Sequence, residues 1–217
     1  MARTKDLLLA EGMRLFGERG YAATSVAQIE EAAGLSPGSG SLYKHFRTKE
    51  ELLSEGLDRL LAGGRDLAER LGVRDSADPV AELTSVVHAG LRRMEEDRDA
   101  NRVLFRDLDA FPDLLGRFGQ GEIVRFHHAI TAMLIALAGE DGKGPDWEAV
   151  TVVLQGATAH YWLLADRFGG HPTGVGEQRF ANAAAVLIAA LIAGARSGAA
   201  TAATAGAVRE SQERPEE

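Results

Sequence analysis

An apolar rhythm with a period of about 3.6 residues runs through almost the whole chain, and no segment shows a convincing strand alternation. That periodicity restricts the fold to packed helices. Leu9, Met13 and Phe16 mark a first helix over roughly 4–18, and Gly20 follows it as a stop. Ser25 and Gln28 form an S-x-x-Q capping box that opens a second helix. Its inner face is Val26, Ile29 and Ala33, and Gly34 ends it. Leu42, Tyr43 and Phe46 mark a third, short helix. Thr48 and Glu51 form a second capping box. It opens a long fourth helix with the apolar row Leu53, Leu57, Leu60, Leu61, Leu67 and Leu71.

A fifth helix starts near Pro79, with Leu83, Val87 and Met94 inward. A sixth carries Leu104, Leu108, Phe111, Leu115 and Phe118, and Pro112 is placed to kink or split it. Ile123, Phe126, Ile130, Leu134 and Leu137 give a seventh. The segments AGEDGKGPD and FGGHPTGVGE read as loops. Between them an eighth helix runs from about Asp146, with Val150, Val153, Leu154, Ala157, Tyr161 and Leu164 on one side. A ninth uses Phe180, Ala184, Leu187, Ile188, Leu191 and Ala195. From Ser197 the low-complexity and then charged sequence is expected to be a disordered tail. The expected fold is all-α with about nine helices. A three-helix unit over 1–47, a helical body over 48–196 and the tail over 197–217 make up the expected domains.

Several function classes are set aside at this stage. The chain has no cysteine, which excludes disulfides and thiolate metal sites. His127 and His128 point about 100° apart on a helix, and no H-x-x-x-H pair exists, so no metal or cofactor is expected. Asp107, Asp109 and Asp113 read as a solvated helix face, and no nucleophile–base pair marks an enzyme. Trp147 reads as packing. Acidic residues interrupt the apolar run of MARTKDLLLAEGMRLF, so no signal peptide and a cytoplasmic location are expected. The apolar run Ala183–Ala195 is shorter than the ~20 residues a bilayer span needs, which suits a buried or interface helix and no membrane role.

Charge is unevenly spread. The chain carries a net −8, yet residues 1–50 hold seven Lys/Arg against six Asp/Glu. Affinity for phosphates follows the local field, not the total. This non-acidic segment contains Ser36-Pro37-Gly38-Ser39-Gly40-Ser41. It is not a Walker loop, because no Gly-Lys follows and no strand precedes it, and residue 43 is Tyr where G-x-G-x-x-G needs Gly. Two short helices joined by a Gly-containing turn make a helix-turn-helix, whose second helix enters the major groove of DNA. Ser36, Ser39 and Ser41 supply hydroxyls there, Tyr43, Lys44 and His45 supply longer arms, and Lys49 sits where another phosphate could lie. The bland alternative is that these residues only cap helices and cover a surface.

The stretch RLFGERGYAATSVAQIEEAAGLSPGSGSLYKHFRTKEELL resembles the N-terminal domain of the TetR/AcrR family of bacterial repressors. Phe16, Gly20-Tyr21, Thr24-Ser25-Val26, Ile29, Ala32-Ala33-Gly34, Leu42-Tyr43, His45-Phe46 and Lys49-Glu50 carry the likeness. The Gly34-to-Leu42 span is longer than in the usual family segment. The resemblance implies that Thr24 and Ser25 hold a phosphate at the start of the second helix. It implies that Pro37, Gly38, Ser39, Gly40 and Ser41 face bases or flanking phosphates. Tyr43, Lys44 and His45 would grip the backbone, and Lys49 would pair with a phosphate. Phe16, Val26, Ile29, Leu42 and Phe46 are expected in the core.

Such regulators read palindromic double-stranded DNA operators as homodimers. The broad apolar ninth helix, with the eighth, is the expected dimer surface: Val153, Ala157, Leu164, Phe180, Ala184, Leu187, Ile188, Leu191 and Ala195. The middle helices are expected to line a pocket for a small hydrophobic or amphipathic effector. Its candidate walls are Phe105, Leu108, Phe111, Phe118, Phe126, Tyr161 and Trp162, with His127, His128 and His160 as polar points. Aromatic residues at helical spacing are more often the mark of a core. Gly63-Gly64 would soften the fourth helix where ligand binding moves the heads. The competing function is an all-α small-molecule-binding protein or enzyme that binds no operator.

Overall fold

The computed structural model describes the backbone of residues 2–70, 78–139 and 144–212, and side chains over 3–62, 78–139 and 144–197. Among these residues the regular elements are all helical. They are α1 (Ala2–Arg19), α2 (Val26–Ala32), α3 (Lys49–Arg70), α4 (Pro79–Glu96), α5 (Arg98–Arg106), α6 (Pro112–Phe118), α7 (Val124–Ala138), α8 (Trp147–Phe168) and α9 (Glu177–Gln212). Two 3₁₀ turns (Leu42–Lys44 and Leu108–Ala110) and a π turn (Gly119–Ile123) complete the set. The chain falls into two compact units, and neither follows the expected boundary at 47/48. The first is Met1–Glu69 with Arg93–Arg125; the second is Arg70–Arg92 with Phe126–Glu217.

The first unit has a single core. Leu8, Phe16, Ile29, Leu42, Phe46 and Leu53 are each at most 1% exposed, as the sequence periodicity requires. Val103 and Leu108 join the same core, so α5 and the turn after it belong with α1. The α1–α5 crossing is close. A Cβ on Gly17 would stand 2.8 Å from the Asp99 Cα. Arg106 locks this crossing by donating from Nη1 to the Gly17 carbonyl at 3.2 Å and from Nη2 to the Phe16 carbonyl. It thereby ties α5 to the last turn of α1, where the Phe16 carbonyl also accepts the Gly20 N–H at 2.9 Å.

The expected sixth helix is split as Pro112 allowed. The chain ends α5 at Arg106, makes the 3₁₀ turn, and restarts at Pro112 in the first position of α6. Ile123, expected to face inward, lies in the π turn and is 52% exposed. Glu122, in the same turn, accepts from Arg125 at 2.7 Å, and Arg125 also donates to the Leu61 carbonyl at 3.2 Å. Arg93 donates to the neighbouring Leu60 carbonyl at 2.6 Å. Burial holds the Glu122 carboxyl above the ordinary carboxylate range, against the opposing pull of Arg93 and Arg125.

In the second unit, α8 starts where Asp146 accepts from the Ala149 N–H at 3.0 Å. Trp147 is buried at its first position, as packing requires. Thr151 is fully buried and uses its hydroxyl twice, donating to the Trp147 carbonyl and accepting from Thr131 of α7, both at 2.9 Å. Helix α9 buries Ala181, Ala185, Ile188 and Ile192, one stripe at helical spacing. Residues 140–143 of the expected AGEDGKGPD loop lie outside the described residues. Leu71 does too, and the Leu67 side chain is likewise not described.

Two findings depart from the sequence reading of the C-terminal region. Helix α9 continues past Ser197 to Gln212, over most of the expected disordered tail. Alanine is the strongest helix former, and AATAATAGAV is rich in it. By length and composition alone, Pro112–Ala138 and Glu177–Ser197 are also long and apolar enough to cross a membrane. The stripes that α7 and α9 bury are those of core helices in a globular body.

Candidate nucleic-acid interface

The capping box at the start of α2 is present in full. Ser25 Oγ accepts from the Gln28 N–H at 3.3 Å, and Gln28 Oε1 accepts from the Ser25 N–H at 2.8 Å. Ser25 is exposed, and α2 therefore begins at a defined, solvent-facing end. Thr24 does not share that face. It is 1% exposed, and its hydroxyl lies 2.8 Å from the Gly20 carbonyl and 3.2 Å from that of Leu15. The Thr24 hydroxyl closes the end of α1 from the inside, so any hold of Thr24 on a phosphate falls to its main chain.

The end of α2 is equally defined. Gly34, at φ +73°, sends its N–H to the Glu31 carbonyl, and Leu35 sends its own to the Glu30 carbonyl at 2.8 Å. This paired closure is a Schellman motif, and the left-handed residue it needs is the glycine. Ser36-Pro37-Gly38-Ser39 then forms a turn closed by Ser39 N–H to the Ser36 carbonyl at 3.2 Å. Proline second and a glycine at φ +72° third match the type II pattern. Gly40 is left-handed too, at φ +70°. Ser39 and Ser41 share a hydroxyl contact of 2.8 Å. Ser36, Pro37, Gly38 and Ser39 are exposed.

The third helix expected over 42–46 is only a 3₁₀ turn, Leu42–Lys44. Two left-handed glycines just before it leave no helical turn on which more residues could build. Leu42 and Phe46 are buried as anchors, while Tyr43 (58% exposed) and Lys44 project outward and His45 is half-buried. Thr48 Oγ1 caps α3 by accepting from the Glu51 N–H at 3.0 Å. The Glu51 carboxylate reaches the Arg47 N–H, one residue earlier than a strict capping box.

Lys49 is turned inward. Its Nζ donates to the Tyr21 and Thr24 carbonyls, both at 2.7 Å, and sits 4.0 Å from the Tyr21 ring centroid. Burial lowers its pKa. In the protein without DNA it thus forms an internal staple between α3 and the Tyr21–Thr24 turn, beside which its expected pairing with phosphate stays an expectation. Tyr21 is held in turn by Phe111, ring against ring at 4.7 Å, and by Asp107, which accepts its N–H at 3.2 Å. Asp107 is thus a structural acceptor and not part of a purely solvated face.

The candidate effector residues fall in both units. Leu108 is 1% exposed and belongs to the first unit's core, while Phe111 and Phe118 pack against that core and Phe105 is 53% exposed. Leu108 and Phe111 are thereby spent on packing. In the second unit Phe126 and His127 are half-buried, and His128 and His160 are exposed. Tyr161 is stacked between Phe180 at 4.3 Å and His171 at 5.0 Å, and donates to the Val175 carbonyl at 2.9 Å. It docks the loop before α9. Trp162 is buried.

The expected dimer residues divide by helix face. Val153, Leu187 and Leu191 are exposed at 67%, 70% and 41%. Ala157, Leu164, Phe180, Ala184 and Ala195 are half-buried. Ile188 is only 6% exposed, so it belongs to the protomer's own core. Sequence reasoning missed Val152, Leu163, Phe168 and Val186, all exposed apolar residues of α8 and α9. It also missed Glu30. The spacing of 26, 29, 30 and 33 puts Glu30 on the inner face of α2, a signal that was available in the sequence.

An all-helical chain with a capped helix, a glycine turn and an outward-facing segment anchored by Leu42 and Phe46 defines a helix-turn-helix regulator fold. Residues 8–55 match the signature described as "Bacterial regulatory proteins, tetR family", and this N-terminal segment is a domain of that kind. It is 36% identical over 104 residues to the HTH-type transcriptional repressor KstR2 of Mycobacterium tuberculosis H37Rv, covering 46% of this chain and 48% of that protein. The match thus spans about half the length of that curated relative. The TetR family transcriptional regulator PfmR of Thermus thermophilus superposes with a TM-score of 0.63 at 26% identity, over 83% of this chain and 92% of PfmR. A TetR transcription regulator of Haloarcula marismortui superposes at 0.64 with 21% identity, over 87% and 97% of the two chains.

Proposed function

We propose that the chain is a ligand-responsive transcriptional repressor that binds a palindromic DNA operator as a homodimer and releases it on binding a small hydrophobic or amphipathic effector. The observation that carries this reading is the family signature over 8–55, coinciding with an exposed polar segment. Ser25 and Ser36–Ser39 would approach phosphates and base edges, and Gly38 and Gly40 let the main chain come close. Tyr43, Lys44 and His45 would supply the longer contacts. The site of action would be intracellular, where the DNA is.

Dimerisation is supported by the exposed apolar residues Val152, Val153, Leu163, Phe168, Val186, Leu187 and Leu191 of α8 and α9. A palindromic operator presents its half-sites about 34–36 Å apart, one turn of DNA, which two heads of a homodimer would read. An effector would draw on Phe126 and His127 of α7. It would release DNA only through unequal affinity for the bound and free states.

The test is fluorescence anisotropy with duplexes tiled across the DNA around its own gene. Preferential binding to one inverted repeat supports the proposal. Binding of small apolar compounds with no preference for any duplex would favour the alternative, a small-molecule-binding protein without an operator.

A further inference from the structure

One buried ionisable group has no part in the proposed contacts with DNA or effector. Glu30 of α2 has 0% exposure. Its main-chain carbonyl accepts the Leu35 N–H at 2.8 Å, and its side-chain Oε1 accepts the Leu42 N–H at 3.0 Å. One residue therefore closes both shoulders of the 36–41 segment. Leu42 begins a 3₁₀ turn, so its N–H has no acceptor within that turn. The second oxygen, Oε2, has no hydrogen-bond partner within the protein. A buried carboxylate with one oxygen unpaired is costly, and such a group calls for a reason.

We propose that Glu30 is the positioning residue of the reading segment, and that through Leu42 it determines which DNA sequence the segment accepts. This rests on the DNA-binding reading. Between its shoulders the segment is held only by local bonds around two glycines: the turn closed at Ser36–Ser39, the seryl pair with Ser41 N–H to Ser39 Oγ at 3.3 Å, and the Tyr43 N–H to the Gly40 carbonyl at 3.1 Å. Its shape is fixed mainly where its ends are fixed. The near end is held by the Schellman motif, which needs only main chain. The far end is held by the buried Leu42 side chain and, at its main-chain N–H, by the Glu30 carboxylate, which sets the direction of that amide. Tyr43 and Lys44 follow Leu42 directly, so a displaced Leu42 amide displaces both arms.

The experiment compares Glu30→Gln and Glu30→Met in the full chain. Gln keeps the acceptor and Met keeps the volume without it. Affinity is measured for the preferred duplex and for a scrambled one, and exchange of the Leu42 amide is followed by NMR without DNA. Glu30→Met should lose about tenfold in operator affinity with scrambled-duplex affinity unchanged. Glu30→Gln should stay within about threefold of wild type. The Leu42 amide should be protected in wild type and Glu30→Gln. A folded Glu30→Met with an unchanged specificity ratio would overturn the proposal. So would a Glu30→Gln as impaired as Glu30→Met, or a wild-type Leu42 amide that exchanges as fast as an unstructured one. The exchange result stands even if Glu30→Met does not fold. Absence of any duplex preference in wild type sinks the DNA-binding reading instead, and leaves the exchange result to judge the hold on Leu42.

Discussion

Lys49 and Tyr21 form a staple at the base of the helix-turn-helix: the ammonium lies 4.0 Å from the ring centroid and donates to the Tyr21 carbonyl at 2.7 Å. A second bond, to Thr24, ties the start of α3 to the turn before α2. The cation expected at a phosphate also holds the start of α3 to the Tyr21–Thr24 turn.

Lys49→Met should therefore act on stability. Loss of two charge-assisted hydrogen bonds and a cation–π contact should cost about 2 kcal/mol. Urea unfolding followed by helical ellipticity measures it. A Lys44→Ala variant in the same assay should unfold at the wild-type midpoint, because Lys44 is exposed.

Gly17→Ala tests the α1–α5 crossing. The methyl would meet the Asp99 main chain, which cannot move aside as a flexible side chain can. Overpacking should cost about 1–3 kcal/mol, outweighing the gain of up to about 1 kcal/mol from alanine's better helix propensity. A lowered melting temperature is expected, with an unchanged oligomeric state.

Glu122 predicts a pH dependence of a particular sign. Its carboxyl is raised by burial in the folded state, so the folded state holds the proton more tightly than the unfolded one. The stability it contributes is greatest below the ordinary Glu value of about 4.3 and is lost as pH rises through the raised native value. Glu122→Gln lacks that titration. Melting temperatures of the two proteins between pH 4 and 7 should show wild type losing ground to the variant as pH rises.

Leu187→Asp tests the dimer face. Leu187 is 70% exposed, so the substitution leaves the protomer core alone and sets a charge on the proposed interface. Sedimentation should find monomers of native helicity. An unchanged dimer would move the interface elsewhere.

Much of the helical framework was legible because caps and periodicity are local. The Ser25–Gln28 box, Pro79 and Asp146 each mark the helix start they were read to mark. Direction was less legible. Leu187 and Ile188 are neighbours of similar hydropathy, yet one faces solvent and the other the core, because a helix turns about 100° per residue. Thr24 and Lys49 were identified as important by pattern, but their main-chain carbonyl partners were not legible, because no side-chain motif records them. The third helix was misread because Leu42, Tyr43 and Phe46 have helical spacing, while the left-handed glycines at 38 and 40 decide the backbone. Leu108 and Phe111 looked like pocket walls because an apolar side chain carries no sign of which core it will join.

The most direct test of the central claim is a hydroxyl-radical footprint on DNA flanking the protein's own gene, at low ionic strength, with wild type beside Lys44→Ala. Two protected patches related by an inverted repeat, about one helical turn apart, are expected. Lys44→Ala should weaken binding to all sequences and lower the salt slope by about one. Uniform cleavage along every duplex at saturating protein would contradict the account.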